Sequence, residues 1–184
     1  MFKIGDSLPA PNFNVVVQPS GWVKQQQAPR PSPRQEAYRQ FFTGVLEKLR
    51  ERFPGLTAAR KGLPQSWLSI GAGRTGFNFA VAFARDGKLR VELCIDLGSL
   101  EHNKEAFDLL YAQREEIEKE VGQALSWEEL PRARRIAVYT DGTVEEPPER
   151  LNQLQDWAVE MLGRFARVFR DRIAALPKGL GTRE

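Results

Sequence analysis

Residues 77–96, FNFAVAFARDGKLRVELCID, alternate apolar and polar side chains with a period of two on both sides of an Asp-Gly pair. Such alternation belongs to strands with one buried face, and two such runs around a short polar break make a hairpin. The charges decide its register. A two-residue turn at Asp86-Gly87 would set Phe83 opposite Arg90 and Val81 opposite Glu92, mixing apolar and charged residues on one face. A three-residue loop, Arg85-Asp86-Gly87, instead pairs Phe83 with Leu89, Val81 with Val91, Phe79 with Leu93 and Phe77 with Ile95. The other face then carries Ala84 with Lys88, Ala82 with Arg90, Ala80 with Glu92 and Asn78 with Cys94. A one-residue slip turns every side chain to the wrong face, so the segregated register is predicted. Gly87 is expected in the left-handed conformation that follows a type I turn in such loops.

Helical periodicity brackets this hairpin. Tyr38, Phe41, Phe42, Val45, Leu46, Leu49 and Phe53 fall at steps of three and four, which predicts a helix over 34–53. Ser32 caps it, Pro33 occupies its first position and Pro54-Gly55 stops it. A second helix is predicted over 100–121, between Ser99 as cap and Gly122 as stop, and a third over 148–175 through Leu151, Leu154, Trp157, Met161, Phe165, Val168, Phe169 and Ile173. A strand around Trp67–Ile70 precedes the hairpin, and RRIAVYTDG supplies another. In LSWEELP, Ser126 is read as a capping box reaching the amide of Glu129. The expected fold is α+β: an antiparallel sheet of three to four strands, a meander with its hairpin loop at 85–87, packed against three helices. Residues 34–176 form that domain. Residues 1–33 read as an extended lead-in with one strand at NFNVVVQP, a docked Trp22 and the semi-rigid linker KQQQAPRPSPR; 177–184 read as a flexible tail.

Composition narrows the chemistry. A hydrophobic fraction of 41% with eleven Phe and four Trp is that of a globular chain, long enough at 184 residues for one domain. One cysteine, Cys94, allows no internal disulfide and no multi-cysteine metal site; one histidine, His102, allows no His-rich cluster. Cys94 reads as a small buried strand residue and His102 as a solvent-facing helix residue. The apolar runs fall far short of the ~20 residues that cross a bilayer, and MFKIGDSLPAPNF has no apolar signal core, so no membrane partner and a cytoplasmic location are expected.

Two motifs invite functional readings. Gly71, Gly73 and Gly76 in SWLSIGAGRTG spell G-x-G-x-x-G. A dinucleotide fingerprint needs its third glycine to open a helix, whose amides hold the pyrophosphate. Gly76 opens a run of period two, so the glycines are read as a turn between strands, with Arg74 as an exposed cation at its tip. No cofactor is assigned. Restriction-type nucleases carry an acid on one strand and Glu-x-Lys on the next, holding magnesium. Here Glu92-Leu93-Cys94 puts cysteine where the lysine belongs. Glu92 and Asp96 share a strand face but stand roughly 13 Å apart at their Cβ atoms, wide for one ion. They remain the candidate acids of a degenerate magnesium-dependent nuclease, beside the bland alternative of a surface ion pair with Arg90.

Net charge is +3, but unevenly placed: residues 1–61 carry ten Lys/Arg against four Asp/Glu, 62–147 carry ten against fifteen, and 148–184 carry seven against five. Basic flanks around an acidic middle make one positive surface if they meet in space. The candidate nucleic-acid contacts are Arg60, Lys61, Arg74, Arg90, Arg164 and Arg167.

The ordered segments PNFNVVVQPSGW, RQEAYRQFF, PQSWLSIGAGRTGF, RVELCID, NKEAFDLLYAQREEIEKEVG, LSWEELPRARRIAVY and RFARVFRDRI resemble an uncharacterised bacterial and archaeal domain family. The resemblance spans about residues 34–175, plus the lead-in that in the family leaves a preceding domain. Members of that family are commonly attached to the C-terminal side of a restriction-endonuclease-like nuclease domain. The resemblance therefore implies proximity to DNA and to defence against foreign DNA, but transfers no catalytic residue. No nuclease-like segment lies within these 184 residues, which leaves open a short stand-alone form or part of a longer protein. Three expectations follow. The first is a non-catalytic accessory domain that helps a nuclease-like partner, in cis or in trans, engage nucleic acid through its basic surface. The others are a protein-interaction or homodimerisation domain and the degenerate nuclease.

Overall fold

The computed structural model describes residues 31–180, and the expectations for the lead-in strand, Trp22 and residues 181–184 lie outside them. Strands β2 (Phe77–Phe83) and β3 (Lys88–Ile95) pair antiparallel with Phe83 opposite Leu89, Val81 opposite Val91, Phe79 opposite Leu93 and Phe77 opposite Ile95. This is the segregated register, and Gly87 sits at φ 75° in the loop. Strand β1 (Trp67–Gly71) adds to the other edge of β2, joined by the glycine turn, in which Gly73 and Gly76 have φ 98° and 83°. Gly76 tolerates no side chain there, because a Cβ would stand 2.9 Å from the Asp96 carbonyl oxygen.

After β3 the chain leaves the sheet for α2 (Leu100–Tyr111) and α3 (Arg114–Val121), then returns as β4 (Ser126–Glu129) and β5 (Arg134–Asp141). β5 pairs with β3 and β4 pairs with β5, so the sheet has five antiparallel strands in the order β1-β2-β3-β5-β4. The expected meander therefore holds only for β1 to β3, and the expected three to four strands become five.

The extra strand is the segment read as a capping box. Ser126 caps nothing; its hydroxyl donates to Glu128 at 2.9 Å. Extension wins there because β4 sets Glu128 and Glu129 opposite Arg135 and Arg134, and because Trp127 packs its ring against Phe107 and Tyr111. The predicted helix over 100–121 is two helices, broken at Ala112-Gln113 with no proline or glycine to signal it. The break aims Ile117 and Val121 into the core beside α4, and Arg172 reaches across to Gln113 and Glu120. Tertiary contacts, not local breakers, divide this helix.

Helix α1 (Pro33–Arg52) begins as predicted, with a reciprocal capping box between Ser32 and Gln35 and proline in its first turn. Helix α4 (Pro148–Ala175) crosses β2 and β3 and packs along α1. Where the two helices meet, Gly163 lies directly under the Phe53 ring. All four helices feed one apolar cluster with Leu68, Ile70, Phe79, Val81, Leu93, Ile136 and Val138 of the sheet. Residues 177–180, expected to be tail, turn back through a Leu180 amide to Pro177 carbonyl bond and bury Leu180.

The second face of the sheet reads in rows across the strands. Trp67, Ala82, Arg90 and Tyr139 form one; Ser69, Ala80, Glu92, Ala137 and Ser126 the next; Gly71, Asn78, Cys94, Arg135 and Glu128 the third.

Candidate nucleic-acid interface

The arginine expected to be most available is committed elsewhere. The glycine turn aims Arg74 at the C-terminal end of α4, where its guanidinium donates to the carbonyls of Ile173, Leu176, Pro177 and Leu180 at 3.3, 3.0, 2.6 and 2.9 Å. Terminal helix carbonyls have no partner within their own helix, and a guanidinium offers several donors in fixed directions. The reading of Arg74 as a free, exposed cation is thereby corrected: it is half-buried and acts as a C-cap.

Arg164 does the same for α3. It donates to the Val121 carbonyl at 2.9 Å and pairs with Glu160 at 3.0 Å. Arg90 lies on the second sheet face, ion-paired to Glu92 with its guanidinium 5.9 Å from the Tyr139 ring. Arg135 approaches the same Glu92 oxygen at 2.5 Å and also holds Glu128 at 3.0 Å. Both Nε atoms meet the carboxylate off their N–H axes, so these contacts are ion pairs rather than aligned hydrogen bonds. Glu128 completes the network by accepting from Tyr139 at 2.5 Å and from Ser126. Burial works against the ionised Glu128, but bonds from Tyr139, Ser126 and Arg135 outweigh it and hold its carboxyl below the ordinary range. Burial, then the bond to Glu128, pushes the Tyr139 phenol up.

Glu92 is 7% exposed and held by two guanidiniums, whereas Asp96 lies beyond the end of β3, exposed, with its carboxylate on the Gly98 amide at 3.4 Å. The structure does not gather the two acids onto shared partners. Among the described residues no group of three or more His, Cys, Asp or Glu side chains is placed to hold a metal ion. Burial, then the nearby charges of Glu92 and Asp96, raises the Cys94 thiol and keeps it protonated.

Arg60, Lys61 and Arg167 remain exposed, and none makes an ion pair among the described residues. Arg60 and Lys61 follow α1 and line a surface groove with Arg39, Thr43 and Glu47; the Gly62 amide, bonded to Thr43 at 3.0 Å, fixes them there. Arg167 lines a separate groove between the end of α1 and the middle of α4. Its floor is Phe53, Pro54, Leu56, Gly163 and Ala166, and its rim carries Arg52, Arg167, Arg170 and Asp171. The Arg170 Nε is buried with no hydrogen-bond partner among the described residues. Arg52 is shared with Asp156 at 3.1 Å. Arg52 and Arg170 belong to the basic faces of the first and last helices that the sequence shows, but are not among the six candidate contacts named from it. The signal was present: Arg167 and Arg170 stand three apart on one helix face, and Arg52 directly precedes the Phe53-Pro54 helix stop.

No curated protein and no solved structure matches the chain. Residues 37–173, from within α1 nearly to the end of α4, match the family described as Domain of unknown function (DUF4268). The five-stranded sheet, its four helices and the Arg52–Arg167–Arg170 groove are thus features of a chain that belongs to the DUF4268 family.

Proposed function

We propose that the domain is a non-catalytic accessory module that engages nucleic acid through the α1–α4 groove. One observation carries this: Arg167 and Arg170 stand one turn apart, neither in an ion pair among the described residues, beside Arg52 on an apolar floor. Arg74, Arg90, Arg164 and Arg172 are spent on helix ends or acids instead. Planar guanidiniums match phosphate oxygens in a bidentate way, and the exposed Arg167 beside the half-buried Arg170 suits a nucleic-acid backbone. Arg60 and Lys61 extend the same role along α1. The setting is the one the family resemblance implies, beside a restriction-endonuclease-like nuclease in cis or in trans. The nuclease reading of Glu92 and Asp96 is not carried forward, since Glu92 is already engaged by Arg90 and Arg135.

Titrating labelled duplex DNA at two salt concentrations tests the proposal. Affinity is expected to fall steeply with salt, and Arg167→Ala or Arg170→Ala to reduce the slope by about one ion each. No binding at low salt overturns it.

A second reading, a protein-interaction or dimerisation domain, draws on Leu100, Leu109 and Tyr111, three large apolar side chains that α2 leaves exposed. A concentration-independent monomer mass, with no co-purifying protein, excludes it.

A further inference from the structure

The Ser66 carbonyl accepts from the Phe83 amide at 2.9 Å, and the Ala72 amide donates to the Phe77 carbonyl at 3.1 Å. In an antiparallel ladder such bonding alternates along the strand, so Ser66, Leu68, Ile70 and Ala72 turn their backbone groups toward β2. Trp67, Ser69 and Gly71 turn theirs outward, along the edge of the sheet that β1 forms. Among the described residues only one of these outward groups has a partner: the Trp67 carbonyl accepts from the Gln65 side chain at 3.1 Å.

This edge lacks the devices that keep strands of different molecules apart. Residues 62–73 hold no charged side chain, although 28% of the chain is charged, so nothing on β1 repels an approaching strand. Nor does β1 contain a proline or a bulge, since Trp67 to Gly71 pair one-to-one with Ala82 to Asn78. The opposite edge is guarded: β4 carries Glu128 and Glu129, and its Trp127 indole is tied to Glu118 at 3.0 Å.

The residues of β1 also complement themselves. Two copies set antiparallel about a two-fold axis at Ser69 match all five residues, with Ser69 opposite Ser69 and Trp67 of each copy opposite Gly71 of the other. These are the outward-facing residues, so each opposed pair exchanges backbone hydrogen bonds. All three are exposed, and a Cβ at Gly71 would meet nothing within 4 Å. Trp67 stands on the second sheet face, 50% exposed, and an aromatic ring opposite an edge glycine supplies the packing that glycine lacks. With Ala82 as its neighbour on β2, the indole then has a small residue on either side.

We propose that β1 pairs with β1 of a second copy of this chain, joining two five-stranded sheets edge to edge through Trp67, Ser69 and Gly71. This goes beyond the nucleic-acid reading and rests on the dimerisation reading, whose surface it moves from α2 to the sheet edge. A ladder of five residues is a small contact, so the dimer is expected to be weak and concentration-dependent.

Sedimentation equilibrium of the full chain over a range of concentrations, in salt high enough to strip nucleic acid, tests this. The mass is expected to rise from monomer toward dimer. Ser69→Glu sets like charges face to face at the axis, and Ser69→Pro removes an outward N–H that the β1–β2 ladder does not use. Each is expected to weaken dimerisation roughly tenfold or more, and Trp67→Ala to weaken it less. Leu109→Glu, on α2, is expected to leave it unchanged. These side chains lie outside the core, so circular dichroism is expected to show every variant folded. In a Cys94→Ala background, Ser69→Cys is expected to cross-link two copies under mild oxidation. Opposed residues of such a pair stand about 5.5 Å apart at Cα, within disulfide range, whereas Trp67→Cys would face glycine and not cross-link. A monomer at every concentration overturns both this inference and the dimerisation reading. A dimer indifferent to both Ser69→Glu and Ser69→Pro overturns this inference alone, and the α2 surface stands if Leu109→Glu dissociates it.

Discussion

Arg74 and Leu176 are 102 residues apart in the chain, yet the guanidinium of one donates to the carbonyl of the other at 3.0 Å. The first turn of the sheet thus closes the last helix. Arg74→Ala would leave four carbonyls at the end of α4 without this donor, and is expected to cost about 1–3 kcal/mol. Arg74→Lys would recover only part, because one ammonium does not span the same set of oxygens. Urea unfolding of the three proteins checks this. DNA affinity that falls with Arg74→Ala at unchanged stability would return Arg74 to the interface.

Glu92→Ala removes the carboxylate that two mostly buried guanidiniums share. Breaking such a group from one side leaves uncompensated charge, and the expected loss is about 3 kcal/mol. Arg90→Met is expected to cost less, since Arg135 still faces Glu92. Chemical denaturation of both variants measures the difference, and equal losses would mean that the two arginines do not share the acid as described.

Glu128 and Tyr139 set opposite limits on stability with pH. The Glu128 carboxyl is depressed in the folded state, so its contribution is present above the unfolded carboxyl pKa and lost as pH falls through the folded one. The Tyr139 phenol is raised, so its contribution is complete below the unfolded phenol pKa and lost as pH rises through the folded one. Glu128→Gln is expected to flatten the acid limb of a melting-temperature profile, and Tyr139→Phe the alkaline limb. An acid limb unchanged in Glu128→Gln would remove this carboxylate from the account.

Gly163→Ala puts a methyl group where the Phe53 ring lies on the bare helix backbone. Although alanine favours helix, the expected result is destabilisation by about 1–3 kcal/mol, because the α1–α4 contact must open. Thermal unfolding decides; a stabilised Gly163→Ala would show that the contact relaxes freely.

The local code of the chain was readable where one residue type had one use. Alternation with misplaced charges sufficed for the β2–β3 register, and Ser32-Pro33 with the apolar stripe sufficed for the start of α1. It was unreadable where distant partners decide. SWEE becomes β4 because of Arg134, Arg135 and the rings of Phe107 and Tyr111, all outside its own window. The division between α2 and α3 answers to α4. The interface was half legible: Arg167 could be named from its helix, but that Arg74 and Arg164 are absorbed by helix ends requires knowing which ends they meet. Trp67 was visible as an aromatic residue, and only the sheet shows that the core does not use it.

The excursion between β3 and β5 also bears on how the chain is made. During synthesis α1 and β1 to β3 emerge together, and their contacts are local. The outer edge of β3, with Leu89, Val91, Leu93 and Ile95, then waits unpaired until Arg134–Asp141 has been translated. An apolar strand edge in a nascent chain is a template for aggregation. The segment made during that wait, α2 and α3, carries seven acidic residues against three basic ones. Charge repulsion between these acidic segments is expected to keep partly made chains apart until β5 arrives to cover β3.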